Sequence, residues 1–134
     1  MQYKYISDLH LFDITSTDWR PQFPELENYA SYLVDSWNAF TEPDDVVIID
    51  GDIGHFCPYT IETLKKLNGI KILVIGNHDI TWGSNLYNCG VFSGVHNSIE
   101  QNGIYIQHIP EEYHGSCQFY IHGHHHRYDM PGMY

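Results

Sequence analysis

The spacing of hydrophobic positions changes along the chain. From Leu26 onward, apolar residues recur at Leu26, Tyr29, Ala30, Leu33, Val34, Trp37 and Phe40. Steps of three and four place them on one face of a helix, and Pro24 suits its first turn. Upstream, YKYIS (Tyr3 to Ser7) is a short β-rich run that stops at Asp8. Downstream, VVIID (Val46 to Asp50) is a continuous β-branched run, the pattern of a strand buried on both faces. YTIETLKKLNG predicts a second helix, with Lys65 and Lys66 in its last turn and Gly69 just past its end. KILVI (Lys71 to Ile75) predicts another buried strand. Strand, helix, strand, helix, strand implies parallel pairing through helical crossovers.

The second half has a different pattern. HNSIEQNGIYIQHI sets Asn102-Gly103 between two alternating runs, which predicts a β-hairpin. CQFYIH predicts one more strand. There is no internal repeat, low-complexity tract or linker, so residues 1–134 read as one α/β domain.

Charge narrows the choice of partner. The net charge is -11 with six Lys plus Arg, which disfavours a long nucleic acid held through its phosphates. No apolar run approaches the roughly 20 residues needed to span a bilayer, and MQYKYISDLH carries no signal-peptide pattern. Cys57, Cys89 and Cys117 form no CxxC pair, which fits a reducing compartment, and the expected location is cytoplasmic. The outlier is histidine, with 10 residues, which points toward a metal.

The chemistry gathers at strand ends. Asp8-Leu9-His10 follows the first strand, Gly51-Asp52 the second and Gly76-Asn77-His78-Asp79 the third. His108 follows IYIQ, and His122, Gly123, His124, His125 and His126 follow QFYI. Carboxyl ends of strands in open α/β sheets face one crevice, so these residues can meet. Taken singly, each is weak. Asp52 could cap a turn, Asn77 could supply a left-handed residue, and His108 could be an ordinary strand residue. The triple histidine is unlike an affinity tag, because RYDMPGMY follows it. Taken jointly, they supply what two divalent ions about 3.5–4 Å apart require: a bridging carboxylate, terminal carboxylate and imidazole ligands, and open positions. Oxygen and nitrogen donors suit manganese first, with iron or zinc as alternatives.

The order D-x-H, G-D, G-N-H-D, H, G-H-x-H, with GDIGH, VIGNHD and HGHHH, resembles the calcineurin-like metallophosphoesterase family from Asp8 to His126. DSWNAF and LKKLNGIKILVIGNHD are similar to its bacterial and phage members. The resemblance implies a four-layer α-β-β-α sandwich, here trimmed at the C-terminus because the chain stops soon after His126. The exposed edge would be capped by RYDMPGMY or by a second subunit in a homodimer. It also implies two divalent metal ions. Asp8, His10 and His126 would hold the first, Asp52 would bridge, and Asn77, His108 and His124 would hold the second. His78 would contact the phosphoryl oxygens and protonate the leaving group, with Asp79 orienting it. A bridging hydroxide would attack phosphorus in line. The substrate would be a small phosphate ester or nucleotide, a phosphodiester more than a monoester, with no membrane partner.

Several residues fall outside that pattern. Phe12 and Asp13 stand where similar bacterial sequences often carry glycine-histidine. Arg20 and His55 are candidate substrate contacts, against blander readings as a surface salt bridge and a surface histidine. Trp19, Trp82 and Tyr113 could stack on a base, though such residues are more often core or rim. His125 should point away from its neighbours if its loop is extended, and His122 reads as support. The competing readings are a scaffold that keeps the fold without turnover, and a protein with one structural metal. The first would be favoured by loss of His78, which is present; the second leaves the bridging aspartate unexplained.

Overall fold

The computed structural model describes residues 1–111 and 115–125. β1 (Tyr3–Ile6), β2 (Val46–Asp50), β3 (Ile70–Val74) and β4 (Phe92–His96) form a parallel sheet in the order β1-β2-β3-β4. The crossovers carry α1 (Leu26–Phe40) and α2 (Pro58–Lys66), then the short α3 (Asn85–Asn88). A second sheet consists of β5 (Ile99–Gln101), β6 (Ile104–Ile106) and β7 (Phe119–Ile121). β5 and β6 are an antiparallel hairpin, and β7 joins β6 in parallel. Asn102 and Gly103 between them both have positive φ, 54° and 78°, as a type I′ turn requires.

β4 was not legible as a strand. FSGVH carries a serine and a glycine at its centre, and it pairs with β3 across a register shift between Lys71 and Ile72. α1 begins later than expected. Glu25 is the extended cap residue, so Pro24 lies just outside the helix. Tyr29, Ala30, Leu33 and Trp37 form the buried stripe, whereas Phe40, in the last turn, is 80% exposed. Trp37 Nε1 and Asn38 Nδ2 donate to the carbonyls of Asn68 and Lys66, fixing the end of α1 to the end of α2.

Two cores follow from this layering. The first packs Tyr29, Leu33 and Trp37 of α1, Leu64 of α2 and Leu86 of α3 against Val47, Ile49 and Leu73 of the parallel sheet. The second lies between the sheets and joins Ile48 and Val74 to Ile106, with Ile99, Ile104 and Ile121 against them. Fully burying one such side chain contributes roughly 1.5–3 kcal/mol. The helix layer, parallel sheet and second sheet make a metallophosphoesterase-type α/β fold. RYDM and PGMY, expected to cap its edge, lie outside the described residues. Among the described residues no helix is long and apolar enough to cross a membrane.

Candidate metal centre

The loops leaving β1 and β2 run side by side. Asp8 N donates to Gly51 O at 3.0 Å, His10 N to Asp52 O at 2.9 Å, and Leu11 N to Ile53 O at 3.0 Å. Leu9 and Leu11 are 1% and 0% exposed and anchor this loop in the first core. Asp8 and His10 alternate with them and turn toward the site. Among the described residues six non-glycine residues have positive φ, and four are expected ligands: Asp8 (56°), His10 (47°), Asp52 (54°) and His124 (71°). Such backbone costs on the order of 1–3 kcal/mol per residue and collects where function over-determines it.

Two glycines let the loops close in. Gly51 has φ 81°, and a Cβ there would run into the His108 imidazole. A Cβ on Gly123 would stand 2.6 Å from Asp8 Oδ2 and 2.9 Å from His108 Nδ1.

Asp8, His10 and Asp52 bring one donor atom each to within 4.8 Å of one another, and so do Asp52, His108 and His124. Asp52 belongs to both groups. His10 Nε2 lies 3.6 Å from Asp8 Oδ1 and 3.6 Å from Asp52 Oδ2. His108 Nε2 lies 3.0 Å from Asp52 Oδ2, and His124 Nδ1 lies 3.0 Å from Asn77 Oδ1. Seven candidate ligands were read from the sequence, and six converge here. The seventh, His126, lies outside the described residues, as do Tyr113 and His114.

The donor set fits divalent cations. His108 Nδ1 is 2.6 Å from the Asp50 carbonyl, which can only accept, so Nδ1 carries the hydrogen and Nε2 faces the carboxylates. Burial alone would depress the His108 imidazolium. The Asp52 hydrogen bond, the Asp50 carbonyl and the charges of Asp52 and Asp8 outweigh it and hold the group at about 9. Burial would likewise raise Asp52, but His108 and the His78 N–H and charge hold it below the usual carboxylate range. The field therefore favours positive charge where the two donor groups meet.

Three neighbours were not read from the sequence as part of the site. Asp13 Oδ2 stands 3.3 Å from His10 Nδ1, the carboxylate–histidine arrangement that orients a metal-ligating imidazole. Asp50 is buried, with no hydrogen bond to either carboxylate oxygen among the described residues. Burial, against the opposing His108 charge and with the Asp8, Asp52 and Asp79 charges adding, pushes it up to about 7. The only signal for it was an acid ending an otherwise aliphatic run. Ser7 Oγ donates to Asp8 Oδ2.

Asp79 makes contacts that the sequence reading did not include. Its oxygens accept the backbone N–H groups of Asp52 (2.8 Å), Gly76 (2.7 Å) and Ile53 (2.9 Å). It joins the second motif to the third. His78 N donates to Asp52 Oδ1 at 3.0 Å, and its exposed ring lies 5.6 Å from that of His10. His78 and His55 line one cleft of about 490 Å³ with His10, Asp13, Thr15 and Thr81. Arg20 donates to the carbonyls of Leu9 and Asp8. Trp82 is 1% exposed and donates to Gly54 O, a core position rather than a stacking one.

His125 also departs from expectation. The left-handed His124 turns the loop, so the His124 and His125 rings meet edge to face at 5.3 Å instead of alternating. His122 is half-buried beside Tyr120, consistent with support.

Comparison with known proteins agrees with this geometry. The family model for calcineurin-like phosphoesterases matches residues 1–115. A crystal structure of a protein of unknown function from Aquifex aeolicus superposes with a TM-score of 0.73 at 23% identity, covering 96% of this chain and 81% of that one. That likeness establishes the fold. No curated protein matches the sequence significantly. The chain belongs to the calcineurin-like phosphoesterase family, metal-dependent hydrolases that act on phosphate esters.

Proposed function

We propose that the protein is a dinuclear metal-dependent phosphoesterase that hydrolyses phosphodiester bonds of nucleotide-sized substrates. The observation that carries this reading is Asp52, shared by two donor groups, with the His78 ring at their rim. Asp8, His10 and Asp52, joined by His126 through the family resemblance, would hold one cation. Asp52, Asn77, His108 and His124 would hold the other. Divalent cations bound there supply Lewis-acid polarisation of a phosphoryl group and an ionised water at neutral pH. Manganese suits the donors best, with iron or zinc as alternatives.

The chain's own groups do the rest. His78 donates the proton that the leaving oxygen needs. Its backbone N–H is tied to Asp52, so the acid keeps its place relative to the phosphoryl group. Asp13 and the Asp50 carbonyl hold His10 and His108 in the tautomers that present Nε2. The cleft of about 490 Å³ beside His78 and His55 has the size of a small-molecule site, enough for an ester substituent beside the phosphate. The net charge of -11 favours a small substrate over a long polyanion.

The test is hydrolysis of bis(p-nitrophenyl) phosphate and p-nitrophenyl phosphate by metal-stripped protein, with manganese, iron or zinc restored, beside His78→Ala. Metal-restored diester hydrolysis that falls about 100-fold or more in the variant supports the reading. Folded protein that binds two ions yet turns over neither ester with any metal favours the scaffold reading.

A further inference from the structure

We infer that Arg20 is a positioning residue, which clamps the Asp8-Leu9-His10 loop into its metal-holding conformation instead of contacting substrate. The guanidinium makes two directed contacts with that loop. Nη2 donates to the Asp8 carbonyl at 2.8 Å and Nη1 to the Leu9 carbonyl at 3.0 Å. These oxygens belong to consecutive peptide planes. Holding the first restrains ψ of Asp8 together with φ of Leu9, and holding the second restrains ψ of Leu9 together with φ of His10. Asp8 and His10 are the residues held at φ 56° and 47°, where an L-residue does not stay without support.

The clamp is itself clamped. The guanidinium carbon lies 4.1 Å from the Tyr29 ring centroid and 4.6 Å from that of Trp19. Stacking of this kind suits the planar, weakly hydrated arginine head far better than a lysine ammonium. Tyr29, a buried residue of α1, also donates its hydroxyl to the Leu9 carbonyl at 2.7 Å. Trp19 meets the His10 ring edge to face at 5.0 Å. Helix, cation and loop are therefore one rigid unit beneath two ligands. Two of the five guanidinium N–H donors are engaged on backbone and the group lies against two rings, so it is poorly disposed to reach a phosphate.

This rests on the reading of Asp8 and His10 as ligands. The experiment is metal titration of wild type, Arg20→Lys, Arg20→Ala and Tyr29→Phe, followed by calorimetry and metal analysis, with kcat and KM for bis(p-nitrophenyl) phosphate at saturating metal. The expected result is that wild type binds two ions and Arg20→Lys binds one of them about 10-fold or more weakly, with KM nearly unchanged. Tyr29→Phe weakens the same ion by less, and millimolar guanidinium partly restores Arg20→Ala. If Arg20→Ala fails to fold, Arg20→Lys and Tyr29→Phe still decide. Unchanged affinity for both ions in these variants overturns the clamp, and a raised KM with it identifies a substrate contact. A wild type that binds no ion refutes the ligand reading itself, which is a different result.

Discussion

Asp79 accepts the backbone N–H of Asp52 at 2.8 Å, although the two lie 27 positions apart. The same carboxylate takes the N–H groups of Ile53 and Gly76, so one buried side chain sets where the shared ligand stands. Burial raises its proton affinity, opposed by these three hydrogen bonds. Asp79→Asn replaces one accepting oxygen by an NH₂ that faces N–H donors. We expect metal affinity about 10–100-fold lower, as for other outer partners of metal ligands. Unchanged metal binding with a fall in kcat alone would return Asp79 to the role of orienting His78.

Gly51 makes a sharper steric test. At φ 81° an alanine costs about 1–2 kcal/mol in backbone strain, and its Cβ meets the His108 ring and Gly76, adding about 1–3 kcal/mol of overpacking. Gly51→Ala should lower Tm by about 10 °C. Gly103 has φ 78° with nothing among the described residues within 4 Å of an added Cβ, so Gly103→Ala isolates the backbone term and should fall by less. Equal losses would mean that contact with His108 contributes nothing.

Asp45 controls acid stability away from the site. Its carboxylate accepts the N–H groups of Glu42 (2.9 Å) and Gln2 (2.8 Å) and pairs with Lys4 at 2.9 Å. The Glu42 N–H, the Lys4 ammonium and the Gln2 N–H hold it down to about 2. A depressed carboxyl stabilises the fold above its unfolded value, near 3.8, and loses that contribution as pH falls through about 2. Asp45→Asn should therefore melt below wild type at pH 6, and the two should converge between pH 4 and about 2. A gap that persists at the lowest pH would locate the effect in packing rather than charge.

The fold was legible where one period dominates. VVIID and KILVI are buried strands, and the α1 stripe follows helical spacing. FSGVH was hidden because Ser93 and Gly94 interrupt its pattern, and only pairing with β3 makes it a strand. The site was legible because each ligand ends a strand, a local property. Asp13 was noticed only as a departure, since its bond to His10 depends on a turn that the sequence does not announce. The contacts of Asp79 were hidden because its neighbour in sequence, His78, suggested a partner, while two of its three partners in space, Asp52 and Ile53, come from another loop. His125 was misread because the left-handed turn at His124 cannot be told from a strand continuing past Ile121.

Metal stoichiometry tests the central claim most directly. Wild type and Asp52→Asn, stripped and reloaded with manganese, would be compared by elemental analysis after removal of free ion. Sharing of Asp52 by both donor groups predicts two ions per wild-type chain and weakened binding of both in the variant. Loss of only one ion, or none, would contradict a shared ligand at the centre of the site.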